Sequence, residues 1–281
     1  MASFKDTLQE AIELTKEKGF EQSRAEWLML DLFKWSRTDY LMHMYDEMSQ
    51  AEEAKFSLAL DRMLLGEPIQ YIVGFQSFYG YQLQVNSQCL IPRPETEEVM
   101  LHFLEHCKDG STIADIGTGS GAIAIVLKKL NPTLNVIATD LIEDTLEVAS
   151  DNAHQLKADI RFLKGNALKP LIKENIKLDG LISNPPYIDQ TEMKDMEDTV
   201  VKYEPHIALF AEDEGYEIYE MILDDLPKVL NKGAYVTFEI GYNQGEILKA
   251  RIINKYPHVN VNLLKDINGC LLYTSPSPRD S

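Results

Sequence analysis

From Gly110 to Leu264 the chain alternates short apolar runs with helical periods, and this alternation restricts the fold more than any other feature. Strands are expected at Thr112–Asp115, Asn135–Asp140, Ile160–Leu163, Gly180–Ser183, Tyr235–Ile240 and Val259–Leu264. Helices are clearest at Ala122–Leu130, Glu143–Ala153 and Tyr216–Leu230. Strand followed by helix, repeated, is the pattern of an α/β protein with a parallel, doubly wound sheet. Ligands of such sheets sit outside the carboxyl ends of the strands.

Two of the expected strand ends carry chemistry. The run Ile113-Ala114-Asp115-Ile116-Gly117-Thr118-Gly119-Ser120-Gly121 is a strand entering a glycine-rich turn that opens a helix. Glycines permit a sharp turn and close backbone approach to a ligand, and a helix N-terminus favours a carboxylate or phosphate. Asp140 ends the next strand about 20 residues on, where a carboxylate can grip ribose hydroxyls. With Ala122 the loop also fits a dinucleotide pattern, so an NAD enzyme competes at this point.

The second strand end is Asn184-Pro185-Pro186-Tyr187, after the apolar run Leu181-Ile182-Ser183. Asn184 offers a side-chain carbonyl. Pro185 offers a backbone carbonyl without a competing N–H, and two successive prolines hold the turn rigid. Tyr187 adds a flat face. Such acceptors suit a planar –NH2 group gripped by both hydrogens. In a doubly wound sheet this tip and the glycine loop share one crevice. A cofactor that passes a group to an amide-type nitrogen is better described by S-adenosylmethionine than by a nicotinamide.

The rest of the chain reads differently. The first 70 residues suggest a small helical bundle. Ser3 with Asp6 caps a helix carrying Phe4, Leu8, Ala11 and Ile12, Ser23 caps one carrying Leu28, Leu32 and Trp35, and a third runs from Ala51 to Leu65. Tyr71-Ile72-Val73 and Tyr79 to Val85 alternate at period two, as in a hairpin or linking strands. Pro92-Arg93-Pro94-Glu95 then starts a helix through His106. The tail Thr274–Ser281 is Ser/Pro-rich and reads as disordered or foreign to the domain.

Composition narrows the partners. A net charge of −18 leaves no basic stripe of the kind that neutralises nucleic-acid phosphates, and even the first 75 residues hold 8 Lys and Arg against 14 Asp and Glu. A basic protein partner is easier to accommodate. No run of about 18 apolar residues appears, and the N-terminus lacks an apolar signal core, which favours the cytoplasm. Cys89, Cys107 and Cys270 read as buried thiols. His102-Phe103-Leu104-Glu105-His106 matches a zinc-site pattern but has no obvious third ligand, so no metal is expected.

On these residues the chain resembles the release factor glutamine methyltransferases, class I S-adenosylmethionine-dependent enzymes of the protein-(glutamine-N5) type. The resemblance includes Gly66-Glu67-Pro68-Ile69-Gln70-Tyr71-Ile72, Phe78-Tyr79-Gly80, Leu90-Ile91-Pro92-Arg93-Pro94-Glu95-Thr96-Glu97 and Tyr203-Glu204-Pro205, and extends to about Gly269. It implies a helical substrate-recognition domain (1–70), a linking hairpin (71–94) and a Rossmann-like methyltransferase domain (95–273), followed by the tail (274–281). It implies that Gly117, Thr118, Gly119, Ser120, Gly121 and Asp140 hold the cofactor, with Ala167 and Asn184 beside it. Asn184, Pro185, Pro186 and Tyr187 would hold the glutamine of a Gly-Gly-Gln loop in a peptide chain release factor, with Asn184, Pro185 and Tyr187 as the catalytic groups. Two departures stand out. Asn166-Ala167 replaces an acidic-aromatic pair near the adenine, which implies weaker cofactor binding, and the Ser/Pro tail replaces an Arg-containing last strand. Two other readings compete. An adenine-N6 or guanine-N2 methyltransferase would meet the same acceptors but must hold phosphates; a non-catalytic cofactor-binding adaptor would not need Asn184.

Overall fold

The computed structural model describes residues 2–265 and 271–278. The chain forms two compact units, one of residues 1–75 with 197–203 and one of 76–196 with 204–281. Cys270 and residues 279–281 lie outside the described residues.

The first unit is helical: α1 (Phe4–Glu17), α2 (Ser23–Phe33), α3 (Arg37–His43), α4 (Gln50–Leu64) and α5 (Ile69–Val73). Ser3 caps α1 by accepting from the Asp6 N–H at 3.1 Å, and Phe4, Leu8, Ala11 and Thr15 form its buried stripe. Three details differ from the sequence reading. Ser23 is the first residue of α2 and not its cap. Trp35 lies beyond α2, because Lys34 adopts a left-handed φ of 56° that ends the helix. Residues 71–73 are helical and not a strand; three apolar residues cannot distinguish period 2 from period 3.6. The α3 helix, announced by the capping box of Ser36 and Asp39, is additional.

The second unit begins with a hairpin whose strand β1 (Phe75–Phe78) starts at the boundary and pairs with β2 (Tyr81–Gln84). Tyr79 (φ 47°) and Gly80 (φ 79°) form its turn, where the sequence suggested continuous strand. There follow α6 (Pro94–Glu105), β3 (Thr112–Ile116), α7 (Ala122–Leu130), β4 (Asn135–Asp140), α8 (Glu143–Gln155), β5 (Ile160–Lys164), α9 (Lys169–Lys173) and β6 (Leu178–Ser183). After a 3-10 turn (Gln190–Asp195) and α10 (Asp198–Tyr203), which belongs to the first unit, come α11 (His206–Leu209), α12 (Glu212–Gly215), α13 (Glu217–Val229), β7 (Leu230–Glu239), α14 (Gly245–Lys255), β8 (Val259–Lys265) and β9 (Leu271–Pro278).

Seven strands form one sheet in the order β5-β4-β3-β6-β7-β9-β8, parallel from β5 through β7. β9 runs antiparallel to both β7 and β8. It continues through Thr274 to Pro278, where the sequence alone suggested a disordered or foreign tail. Past Thr274 it pairs only with β8, so one edge is open and prolines need not donate there.

Strand alternation sorts the core into two layers. Ile113, Val136, Ala138, Ile182 and Tyr235 pack with α6 and α7 on one face. Ala114, Ile137, Leu181, Val236 and Phe238 pack with α9, α13 and α14 on the other. Glu239 is four residues after Tyr235 and so points to the α6 face. At Gly180 a Cβ would come within 2.8 Å of the Phe103 ring, so glycine lets α6 lie close on β6.

Candidate active site

The chain order reverses between β3 and β6, which are neighbours in the sheet. Ile116 is paired with Ser183 on one side and with Thr139 on the other. Gly117, Asn184 and Asp140 therefore leave three adjacent strand tips at the topological switch point, where doubly wound sheets bind ligands. A cleft of about 1120 Å³, open solvent included, lies there. Gly117, Thr118, Gly119, Ser120, Asp140, Ala167, Asn184, Pro185 and Pro186 line it; Gly121 and Tyr187 do not.

The glycine loop is held from below. Asp115 Oδ2 accepts from Thr118 Oγ1 at 2.6 Å and from the Ala124 N–H at 3.3 Å, tying the loop to α7. Its Oδ1 has no partner among the described residues, and burial pushes the carboxyl up to about 7. Gly121 (φ 83°) forms the left-handed cap of α7 with a Cβ position 3.2 Å from Ala149 Cβ, so its role is close packing. Asn152, unmarked in the sequence, joins the hairpin to the loop: its amide accepts from Gln84 N at 2.7 Å and donates to the Gln84 and Ser120 carbonyls at 2.9 Å.

Asp140 accepts from the Gly119 N–H at 3.0 Å and the Ile142 N–H at 3.1 Å. Burial raises its carboxyl pKa, opposed by these backbone bonds. Two of about four lone-pair positions are thus engaged, and the others suit a vicinal diol. Leu141, Ile142, Ile207 and Ile218 add apolar wall. Ala167 stands at a left-handed φ of 47° and contributes only a methyl group. An apolar slot with a carboxylate at one end and an amide at the other fits S-adenosylmethionine.

The Asn184 turn is over-determined. Tyr187 carbonyl accepts from Gln244 Nε2 at 2.8 Å, and Gln244 Oε1 accepts from the Gly241 N–H at 3.0 Å. Ile188 bridges to Phe210. Burial raises the Tyr187 phenol pKa, so it is no base near neutrality. Behind the turn, Asn184 Nδ2 donates to Thr96 Oγ1 at 3.3 Å, and Thr96 Oγ1 donates to Glu239 Oε2 at 2.7 Å. Thr96 and Glu239 are 4 % exposed. Neither was singled out from sequence for this role; the available signal was a carboxylate inside the apolar run Ala234 to Ile240.

Arg93 pairs with Glu204 at 2.5 Å, and Glu204 also accepts from the Ile91 N–H at 3.4 Å. Two motifs more than a hundred residues apart thus meet at the cleft rim. The histidine pattern is engaged elsewhere: His102 Nε2 lies 2.8 Å from Tyr235 Oη, and the His106 ring stacks on Tyr235 at 3.9 Å. Among the described residues no group of three or more His, Cys, Asp or Glu is placed to hold a metal ion. Burial pushes the Cys89 thiol up to about 11 and that of Cys107 up to about 12, which leaves both unreactive.

Residues 6–74 match the family described as PrmC N-terminal domain, and residues 95–203 that described as Methyltransferase small domain. The release factor glutamine methyltransferase of Staphylococcus aureus is 62% identical over 269 residues, covering 96% of this chain and 97% of that protein. That of Bacillus subtilis is 38% identical over 275 residues, covering 96% of each. Among solved structures, a methyltransferase from Pyrococcus furiosus aligns at a TM-score of 0.55 with 20% identity, over 80% of this chain and 100% of that one. Human methyltransferase 10 domain containing protein aligns at 0.50 with 19% identity, over 72% and 90%. The last two share the fold. Near-complete coverage at high identity carries the assignment: this chain belongs to the release factor glutamine methyltransferase family.

Proposed function

We propose that the chain methylates the side-chain amide nitrogen of the glutamine in the Gly-Gly-Gln motif of peptide chain release factors, using S-adenosylmethionine. The observation that carries the residue-level reading is Asn184 at the β6 tip, one strand from the glycine loop, with its Nδ2 turned inward. That orientation leaves Oδ1 free to accept one amide hydrogen of the glutamine, and the Pro185 carbonyl accepts the other. Asn184 and Pro185 are the catalytic pair, with Pro186 stiffening the turn and Tyr187 anchoring it through its carbonyl bond to Gln244.

An amide nitrogen is a weak nucleophile because its lone pair is delocalised. Bound S-adenosylmethionine supplies an activated methyl group on sulfonium sulfur. The chain's own contribution is alignment plus stabilisation of positive charge developing on the nitrogen. Alignment is worth on the order of 7–11 kcal/mol at best. The loop Gly117 to Ser120 and Asp140 seat the cofactor, with Gly121 packing the start of α7 behind the loop and Ala167 at the adenine end giving less stacking area than an aromatic residue.

The helical residues 1–70 serve as the recognition domain, 71–94 as a linker and 95–273 as the catalytic domain. The charge of −18 supports a basic protein partner rather than nucleic acid or a membrane surface, and no described helix is long and apolar enough to cross a membrane. We place the reaction in the cytoplasm, where release factors work. Incubation with cofactor and a release factor, followed by peptide mass spectrometry, is expected to locate one added methylene on that glutamine. Methylation of another residue, or of added DNA instead, overturns the proposal.

A further inference from the structure

We propose that Glu239 is a positioning residue for methyl transfer: acting through Thr96, it determines which end of the Asn184 amide faces the substrate. The inference rests on the reading of Asn184 Oδ1 as an acceptor for the glutamine amide.

An ionised carboxylate only accepts hydrogen bonds, and a threonine hydroxyl has one proton to donate. Thr96 Oγ1 lies 2.7 Å from Glu239 Oε2, so its proton goes there. Toward Asn184, 3.3 Å away, Thr96 then offers only lone pairs. The amide must meet them with its –NH2, which sends Oδ1 outward. The catalytic orientation of Asn184 is therefore written in a buried chain of three side chains from β6, α6 and β7.

The chain can run the other way. A protonated Glu239 can donate to Thr96 Oγ1, whose own proton then turns to Asn184. The amide answers with Oδ1 and presents –NH2 outward, where it opposes the –NH2 of the glutamine, donor against donor. The groups facing Glu239 among the described residues are Arg93 and Glu95 at the start of α6, Thr96, Asn184, Tyr187 and Tyr219. Tyr219 Oη donates to the Glu239 carbonyl at 2.7 Å and anchors the strand end. Burial, the largest influence, pushes the Glu239 carboxyl up to about 7; Glu95 adds to this, while Thr96, Asn184 and Arg93 oppose it. The reversal thus falls in an accessible pH range.

The test is the pH profile of kcat for methyl transfer to a release factor, with cofactor and release factor saturating. Wild type is expected to lose activity below about pH 7, approaching tenfold per pH unit. Saturation removes effects of Asp115 and Asp140, which act at the cofactor end. Glu239→Gln keeps a group able to accept from Thr96 and cannot titrate, so its kcat is expected to be flat from pH 6 to 8. Thr96→Val breaks the relay and is expected to lower kcat at pH 8 about tenfold or more, with the cofactor Kd within about twofold; Thr96→Ser is expected to restore both rate and acid limb. If Glu239→Gln does not fold, the Thr96 pair decides alone. An unaltered acid limb in Glu239→Gln, or Thr96→Val with kcat near wild type, overturns the inference. Asn184→Ala separates it from its premise: a near-normal rate there sinks the Asn184 reading itself, whereas a collapse there with an unaltered Glu239→Gln profile sinks only the role of Glu239.

Discussion

Gly215 offers a direct test of how rigidly the Asn184 turn must be held. It has φ 84°, and a Cβ built there would lie 2.1 Å from the Tyr187 carbonyl oxygen and 2.7 Å from Gln244 Nε2. Ordinary contact begins near 3.4 Å, so the carbonyl must retreat by more than an ångström and the Gln244 amide must shift as well. Both moves displace the segment that presents Asn184 and Pro185. Misplacement of reacting groups by about 1 Å can lower a rate by about 10²-fold. Gly215→Ala is therefore expected to reduce single-turnover methyl transfer to a release factor about 100-fold, with the cofactor Kd nearly unchanged. Gly233→Ala is the control: its φ is 82°, yet nothing lies within 4 Å of its Cβ position. It carries the left-handed strain alone, about 1–2 kcal/mol, and in a unit of this size should lower Tm by roughly 2–8 °C. Equal methyl-transfer rates in the two variants would refute the reasoning, since only Gly215 faces the turn.

Other perturbations read other parts of the site. Asp140→Ala removes charge-assisted bonds worth about 1.5–3 kcal/mol and is expected to raise the cofactor Kd by roughly 10–100-fold in calorimetry; a change within twofold would exclude a diol-binding carboxylate. Arg93→Ala leaves the buried Glu204 carboxylate, 1% exposed, without its cation. The loss is about 3 kcal/mol and a Tm lower by roughly 6–12 °C. For Asp115 the folded value of about 7 lies above the ordinary 3.8, so the folded state holds a proton that the unfolded chain releases. Its contribution to stability is present below pH 3.8 and lost as pH rises to about 7. Glu239 contributes with the same sign. Asp115→Asn should flatten the fall in Tm between pH 5 and 8, and an identical slope in both proteins would count against it.

The periodicity of residues 110–264 determined the α/β class and the succession of strands and helices along the chain, because a buried parallel strand and an amphipathic helix leave unmistakable spacings over five to fifteen residues. Glycines after one strand and Asn-Pro-Pro-Tyr after another were equally legible, since their backbone geometry is local. Short elements were not. Residues 71–73 are too few to show a period, and the turn at Tyr79-Gly80 interrupts a run that alternates on paper. Only the tertiary structure decided that Thr96, Asn184 and Glu239 form one hydrogen-bonded chain, and that Gly215 and Gln244 clamp Tyr187. Those contacts join residues up to 143 positions apart, and side-chain hydrogen bonds at that separation leave no trace in local spacing. Local chemistry names the groups that meet the substrate; sheet register and helix packing decide which way they face.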